Sequence, residues 1–188
     1  MRVLGISGSL RRESYNTALL RHAGELVEAE GAEFEIYDGL RTIPPFDQDD
    51  EAKDVPEAVA RLRTAIADAD GVFFTTPEYN SSIPGVLKNA LDWVSRPLAT
   101  NAMRNKPVAV IGASTGGFGA VWAQAELRKV LATMGGRVVE GEVAVGHAMD
   151  RFDPRGRLDD PNLEEQVREV ANALLMEARL SHPVKLAA

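Results

Sequence analysis

Residues 1–20, MRVLGISGSLRRESYNTALL, join a short apolar run to a loop rich in hydroxyl and basic side chains. Arg2–Ile6 is predicted to be a strand, because its apolar run is short and stops at Ser7-Gly8-Ser9. From Thr17 to Glu30 the apolar residues recur at helical spacing, and Gly31 suits the left-handed cap that ends such a helix. This strand, polar loop and helix are the first unit of a pattern that continues along the chain.

Apolar runs and amphipathic stretches alternate through the rest of the chain. Further strands are predicted at Glu33–Tyr37, Gly71–Thr76, Lys106–Ile111 and Arg137–Val139. Further helices are predicted from Pro56, over Pro84–Val94, from the loop Gly112–Gly119 to about Met134, and over Leu163–Leu180. In the helix that follows Gly112–Gly119, the side chains expected to face the core are those of Val121, Ala125, Val130, Leu131 and Met134. Alternating strands and helices are typical of a parallel sheet covered on both faces, so we predict one doubly wound α/β domain over residues 1–188.

The segment Gly39–Asp54 interrupts this pattern. It contains two adjacent prolines and a run of acidic residues, and it is predicted to be an exposed loop. The acidic run is expected to be solvated rather than to guide a basic partner to the protein.

Composition limits the classes of function. The chain has 188 residues, of which 45% are hydrophobic and 26% charged, as in an ordinary globular domain with a sizeable core. A net charge of −7 disfavours nucleic acid as the main partner, and the lack of cysteine excludes disulfides and thiolate chemistry. The first apolar run is too short for a signal peptide, and no later run reaches the ~18 residues of a membrane span. We therefore expect a cytoplasmic protein without a membrane partner.

The loop Gly8–Thr17 is the first candidate for a binding site. Ligands of open α/β sheets bind beyond the carboxyl ends of the strands, and here a helix begins at that edge, where free N–H groups and the dipole favour an anion. The loop offers the hydroxyls of Ser9, Ser14 and Thr17, the amide of Asn16 and the guanidinium of Arg11. A simple helix cap at Ser14 or Asn16 needs one such group, so we predict a phosphate site.

Two further loops follow predicted strands. In Pro77–Gly85, two prolines restrict the backbone, and Asn80 offers the donor and acceptor that an imide-like ring edge requires. The alternative for this loop is a rigid turn with Tyr79 as a surface aromatic. The glycines of Gly112–Gly119 let the backbone approach a flat ligand, or form a flexible connection. Together the three loops predict a ligand with a phosphate at one end and a polar planar ring at the other, a description that FMN meets.

Three ordered motifs carry a resemblance to a known family. They are Gly8-Ser9-Leu10-Arg11-x-x-Ser14-x-Asn16, Pro77-Glu78-Tyr79-Asn80, and Pro84-Gly85-x-Leu87-Lys88-Asn89-Ala90-x-Asp92-Trp93. From Val3 to about Val145 the chain resembles the NADPH-dependent FMN reductases, and within them the bacterial quinone and chromate reductases and azoreductases. The resemblance implies a flavodoxin-like FMN-binding domain with five parallel strands in the order 2-1-3-4-5 and helices on both faces. It also implies a homodimer or homotetramer.

The resemblance also assigns residues by position. It implies that the FMN phosphate loop consists of Ser9, Arg11, Ser14, Tyr15, Asn16 and Thr17. It implies contacts to the isoalloxazine ring and ribityl chain from Pro77, Glu78, Tyr79 and Asn80. It implies a third loop along the ring formed by Ser114, Thr115, Gly116 and Gly117. Ala120 departs from the pattern, since many relatives carry glycine there.

No acid pair, nucleophile or metal-ligand cluster is evident, so a cofactor must carry the chemistry and no residue is assigned a catalytic role. His22, His147 and His182 lack the spacing of a metal site or a triad. We predict hydride transfer from NADPH or NADH through FMN to a small-molecule acceptor such as a quinone, azo compound, metal oxyanion or free flavin. Two alternatives stay open: a flavodoxin-like electron carrier, and a redox-responsive interaction protein that binds FMN without turnover.

A homo-oligomer is also expected from the residues Pro84–Trp93. Their aromatic and apolar side chains lie beside a predicted cofactor loop, and the resemblance implies that a neighbouring subunit completes the site there.

Overall fold

The computed structural model describes residues 1–51, 53 and 55–181, and its centre is a parallel sheet. The strands are β1 (Arg2–Ser7), β2 (Glu33–Ile36), β3 (Gly71–Thr76), β4 (Pro107–Ala113), β5 (Arg137–Val138) and β6 (Ala144–Val145). Their order is β2-β1-β3-β4-β5, with β6 also paired to β4. This order is typical of flavodoxin-like folds, and it confirms the predicted topology.

The edge beyond β4 holds two short strands where one was predicted. The start of β4 pairs with β5 and its end pairs with β6. Between them the Arg128 guanidinium donates to the carbonyl of Val110 at 2.7 Å, to that of Val139 at 2.9 Å and to that of Gly141. The side chain thus satisfies carbonyls that a continuous fifth strand would have paired. The prediction of a single fifth strand was therefore incomplete.

Helices cover both faces of the sheet, as predicted. They are α1 (Tyr15–Ala29), α2 (Gln48–Glu51), α3 (Glu57–Asp68), α4 (Gly85–Val94), α5 (Val121–Thr133) and α6 (Pro161–Ser181). α1 and α6 share one apolar cluster with Phe73, while α3, α4 and α5 share the other with Phe74. Neighbouring residues of β3 thus pack into the apolar clusters on opposite faces of the sheet, because side chains alternate along a strand. At the end of α1, Gly31 has a φ of 81°, the left-handed conformation that the sequence indicates.

The inward face of α5 differs from the prediction in the first half of the helix. Leu131 and Met134 are buried and Val130 packs against the core, as predicted, whereas Val121 is only half-buried and Ala125 is exposed. Ala123, Leu127 and Leu131 follow the spacing of four residues that places side chains above one another on one helix face. Val121 and Ala125 lie about half a turn from this row, so they could not share it.

The segment between β2 and α3 is not simply an exposed loop, which corrects the prediction for Gly39–Asp54. It contains a 3₁₀ turn (Gly39–Thr42) and α2, and Leu40 and Ile43 are buried. The Pro44 carbonyl accepts from the Asn89 amide at 2.8 Å and from the Trp93 indole at 2.9 Å. These contacts fasten the segment to α4.

Within the described ranges, no helix is long and apolar enough to cross a membrane.

Candidate functional site

A cavity of about 280 Å³ opens where the loops after β1, β3 and β4 meet. It is lined by Ser9, Arg11, Ser14, Tyr15, Asn16, Pro77, Glu78, Tyr79, Ala113, Ser114 and Thr115. Apart from Ala113, each of these is a residue that the sequence assigns to a ligand site. The carboxyl ends of parallel strands lie at one edge of a sheet, which is why residues so distant in sequence converge. Four predicted residues lie outside this lining: Thr17, Asn80, Gly116 and Gly117.

The first loop presents donors at the start of α1. Ser14 is the N-cap, and its hydroxyl oxygen accepts from the Thr17 N–H at 3.3 Å. The N–H groups of Tyr15 and Asn16 begin the helix and have no intrahelical acceptor. Arg11 is exposed and holds its guanidinium 5.1 Å from the centre of the Tyr15 ring. Ser14 therefore caps the helix, and the loop still offers N–H groups and a cation to an anion.

Asn16 joins the first loop to the third. Its side-chain amide donates to the Ala113 carbonyl at 2.9 Å, and its side-chain oxygen accepts from the Ala113 N–H at 3.0 Å. The pairing of β3 with β4 ends at Thr76 and Gly112, so Ala113 has no strand partner on that side. Asn16 supplies one in its place. Its amide is thus engaged within the protein, whereas the sequence suggested a donor to the ligand.

The second loop is a rigid turn. Tyr79 and Ser82 exchange two backbone hydrogen bonds, at 3.0 and 3.2 Å, around Asn80 and Ser81. Both central residues have positive φ, 53° and 58°, as a type I′ turn requires. Asn80 is exposed at the tip of this turn, and Tyr79 is 53% exposed. This geometry agrees with the rigid-turn alternative and keeps Asn80 out of the cavity lining.

Glu78 connects the second loop to α5. One of its carboxylate oxygens accepts from the N–H groups of Trp122 and Ala123, each at 3.0 Å. The residue in the N-cap position, Ala120, has a φ of 64° and no side-chain group to offer. Glu78 therefore acts as the cap from a distance, and its charge is favourable at this end of the helix.

The third loop is braced by the chain around β6 rather than flexible. The Ser114 N–H donates to the Val145 carbonyl at 2.9 Å, and the Ala148 N–H donates to the Ser114 carbonyl at 3.0 Å. The His147 N–H donates to the Gly116 carbonyl at 3.0 Å. A Cβ on Gly146 would lie 2.4 Å from the Gly117 carbonyl oxygen, so this approach requires a glycine. No motif in the sequence indicates this bracing role of residues 144–148.

The two described histidines, His22 and His147, form no catalytic cluster. His22 is buried against α6, and burial lowers the pKa of its imidazole. His147 contributes its backbone to the third loop. His182 lies outside the described residues. In the part of the chain that the structure describes, no group of acids and histidines is arranged to hold a metal ion.

The residues of the cavity fit FMN. At the loop between β1 and α1, the N–H groups at the helix start and Arg11 suit a phosphate monoester. Toward the other two loops, Pro77, Tyr79 and the backbone of Ser114 and Thr115 offer flat apolar surface and peptide groups to a polar ring.

Comparisons with known proteins agree with this site. Residues 1–150 match the family model of the NADPH-dependent FMN reductases. The chain is 43% identical over 180 residues to an NAD(P)H-dependent FMN reductase of Pseudomonas aeruginosa, covering 95% of this chain and 96% of that protein. It is 38% identical over 159 residues to a 2-hydroxy-1,4-benzoquinone reductase of a Burkholderia species, covering 84% and 85% of the two chains.

A solved structure is also similar. The flavoenzyme NAD(P)H:(acceptor) oxidoreductase FerB from Paracoccus denitrificans superposes with a TM-score of 0.82 at 32% identity, covering 95% of this chain and 97% of that one. The family match spans all three loops of the cavity. The chain belongs to the NADPH-dependent FMN reductase family.

Proposed function

We propose that this protein is an NAD(P)H-dependent oxidoreductase that passes hydride through bound FMN to small-molecule acceptors, with quinones as the main class. The observation that carries the proposal is the cavity itself, in which a cationic loop and a helix start lie beside two rigid loops. The names of the similar proteins, an FMN reductase and a benzoquinone reductase, support both the cofactor and the acceptor class.

The phosphate of FMN is assigned to the first loop. Arg11 supplies a positive charge, Ser9 a hydroxyl, and Tyr15 and Asn16 supply backbone N–H groups at the positive end of the α1 dipole. The amide of Asn16 holds this loop against the end of β4. The phosphate donors therefore keep a fixed position relative to the ring loops.

The ring of FMN is assigned to the second and third loops. When bound, FMN supplies the hydride relay between the nicotinamide and the acceptor. The type I′ turn and the Glu78 cap fix the second loop, and the contacts with Val145 and Ala148 fix the third. Preorganised backbone dipoles in such loops stabilise negative charge at little reorganisation cost. We assign no side chain a proton-transfer role, because the Glu78 carboxylate already caps α5.

The acceptor is proposed to bind beside the FMN cavity, on an exposed aromatic surface. Phe118 and Trp122 lie on the elements beside the cavity, with ring centres 4.9 Å apart, and are 67% and 48% exposed. Flat aromatic acceptors pack well on such surfaces. Because the surface is open, it selects little between acceptors of different shape. This supports a range of acceptors that also includes azo compounds and free flavin.

Steady-state kinetics tests the proposal against its two alternatives. In a ping-pong hydride relay, the nucleotide leaves the site before the acceptor binds there. Such a relay gives parallel double-reciprocal lines when the concentrations of NADPH and benzoquinone are varied. An electron carrier gives no turnover with these two compounds until a separate reductase is added. A redox-responsive interaction protein without catalysis gives no turnover in either case.

A cytoplasmic homo-oligomer, dimer or tetramer, completes the proposal. The reason given by the sequence needs correction, because Trp93 is buried and hydrogen-bonded to Pro44, and most apolar side chains of α4 lie in the protein's own core. Exposed apolar side chains nearby are Leu98, Phe118 and Trp122. Light scattering at micromolar concentration tests this point, and a monomeric mass would contradict it.

A further inference from the structure

A second groove, of about 440 Å³, adjoins the proposed FMN cavity. Ser14 and Tyr15 line both, so the two spaces are neighbours at the first loop. The outer groove lies between the start of α1 and the segment that leads into α6. Its charged side chains are Arg12, Arg21 and Arg155 together with Glu13 and Asp153.

The three arginines of this groove carry unneutralised charge. They are exposed, and among the described residues no carboxylate forms an ion pair with them. Other arginines of the same region are paired: Arg151 with Asp160 at 2.7 Å and Arg157 with Glu25 at 3.3 Å. Glu25 follows Arg21 by four residues on α1 and would be its natural helical partner. Because Glu25 pairs with Arg157, the charge of Arg21 remains available.

The acidic residues of the groove cancel only part of this charge. The Asp153 carboxylate accepts from the backbone N–H groups of Arg155 and Arg157 at 2.8 and 2.9 Å. The Asp153 N–H in turn donates to the Arg157 carbonyl at 2.8 Å, which closes a tight turn. Asp153 thus fixes the turn that carries Arg155. Glu13 is exposed, and the groove keeps one positive charge in excess although the whole chain carries −7.

An aromatic and apolar wall lies beside the arginines. The rings of Tyr15 and Phe152 stack with centres 5.5 Å apart and planes inclined by 29°. Met149 also lines the groove and is 67% exposed. A flat apolar surface beside guanidinium groups matches a purine attached to a phosphorylated sugar.

We propose that this groove binds the adenosine end of NADPH, with Arg12, Arg21 and Arg155 recognising the 2′-phosphate that NADH lacks. The inference rests on the proposed function, in which the nicotinamide must reach the flavin. The adenosine end then has to lie outside the FMN cavity, and this groove shares the lining residues Ser14 and Tyr15 with that cavity. A phosphate monoester carries nearly two negative charges at neutral pH, which two or three guanidinium forks complement.

Calorimetry tests the inference without any turnover. It measures the binding of adenosine 2′,5′-bisphosphate and of 5′-AMP to the oxidised holoprotein. The test variant is Arg21→Gln with Arg155→Gln, because neither residue lines the FMN cavity. We expect the Kd of the bisphosphate to rise about 10- to 100-fold in this variant, since charge-assisted contacts are lost. The Kd of 5′-AMP, which lacks the 2′-phosphate, should change less than about twofold, so the ratio of the two constants is the readout.

Arg179→Gln is the matched control. Arg179 is an exposed helical arginine without an ion pair among the described residues, and it lies 18 residues after the first residue of α6, about 27 Å along the helix. It removes one positive charge at a distant place, and it is compared with Arg21→Gln alone, which also removes one. An equal loss of bisphosphate binding in these two single variants would mean a general charge effect and would overturn the proposal.

Failure of this inference is distinguishable from failure of the proposed function. If neither NADPH nor NADH reduces the bound flavin of the unmodified protein, the proposed function is wrong. If a nucleotide reduces it, but the bisphosphate binds no more tightly than 5′-AMP or is unaffected by the double variant, only the groove assignment is wrong. If the variant instead raises the KM of a sulfonated quinone alone, the groove serves the acceptor, which also overturns the assignment.

Discussion

Asn16 and Ala113 form a two-point hydrogen-bonded pair across 97 positions of sequence, with distances of 2.9 and 3.0 Å. The pair lies at the floor of the cavity and is buried. It replaces the strand contact that Ala113 loses where β3 ends. The first and third loops therefore depend on one amide for their relative position.

Replacing Asn16 tests this dependence. Asn16→Ala leaves the N–H and carbonyl of Ala113 without partners in a buried place, so we expect the free energy of unfolding to fall by about 2–4 kcal/mol. Chemical denaturation of the apoprotein measures it. Asn172→Ala, at an exposed position of α6, is the matched control and should leave stability unchanged or slightly higher. Equal stability of Asn16→Ala and the control would show that the pair contributes nothing.

Arg11 is expected to bind the FMN phosphate. Arg11→Ala removes a charge-assisted contact worth about 1.5–3 kcal/mol, so the Kd for FMN should rise about 10- to 150-fold. Arg11→Lys should recover part of this loss, because lysine keeps the charge but not the fork. Fluorescence quenching of free FMN by the apoprotein measures the constants. An unchanged Kd in Arg11→Ala would remove the argument for a phosphate site at this loop.

Glu78 is expected to act on stability rather than on proton transfer. Glu78→Ala deprives Trp122 and Ala123 of their acceptor, so the unfolding free energy should fall by about 1–2 kcal/mol. Glu78→Gln keeps an acceptor and should lose less. The rate of flavin reduction in Glu78→Gln should keep the pH profile of the unmodified protein. A profile that loses one ionisation would instead identify Glu78 as a catalytic acid or base.

His22 is expected to make the protein less stable in mild acid. Both ring nitrogens are buried without partners among the residues that the structure describes. Burial lowers the pKa of the imidazole, an effect that Glu164 and Glu25 oppose and that Arg157 and Arg168 reinforce. Below the ordinary pKa of 6.5 the unfolded chain takes up a proton that the folded protein binds less well. Stability therefore falls as pH decreases through this range, by at most about 1.4 kcal/mol per pH unit for one group.

His22→Leu isolates this effect. The variant should show a smaller loss of unfolding free energy between about pH 7.5 and about pH 5.5 than the unmodified protein, because it has no imidazole to protonate. Urea denaturation at the two pH values measures the difference. Identical losses in both proteins would assign the acid sensitivity to other groups.

The fold could be predicted because its signals are local. The apolar run of β3 and the spacing of Leu19, Leu20 and Ala23 in α1 depend on neighbouring residues alone. The split fifth strand could not, since it depends on Arg128 reaching carbonyls in β4 and beyond β5. The buried segment around Leu40 was missed for the same reason, because its anchor lies on α4.

In the site, too, some features follow from local sequence and others depend on distant residues. The position of the cavity follows from which loops succeed β1, β3 and β4, and the sequence shows this directly. The contacts of Asn16 and Glu78 do not follow, because their partners lie 97 and 44 residues away. A polar residue in a binding loop offers the same chemistry to a ligand and to a neighbouring loop, and only the folded geometry decides between them.

Anaerobic titration of the purified holoprotein with NADPH decides whether the bound flavin passes hydride from the nucleotide to an acceptor. We expect stoichiometric NADPH to abolish the visible absorbance of the bound flavin, and benzoquinone added afterwards to restore it fully. Adenosine 2′,5′-bisphosphate, which binds without reducing, is the control and should leave the absorbance in place. A flavin that stays oxidised with both NADPH and NADH, yet is reduced by dithionite, would show that the protein is not an NAD(P)H-dependent oxidoreductase.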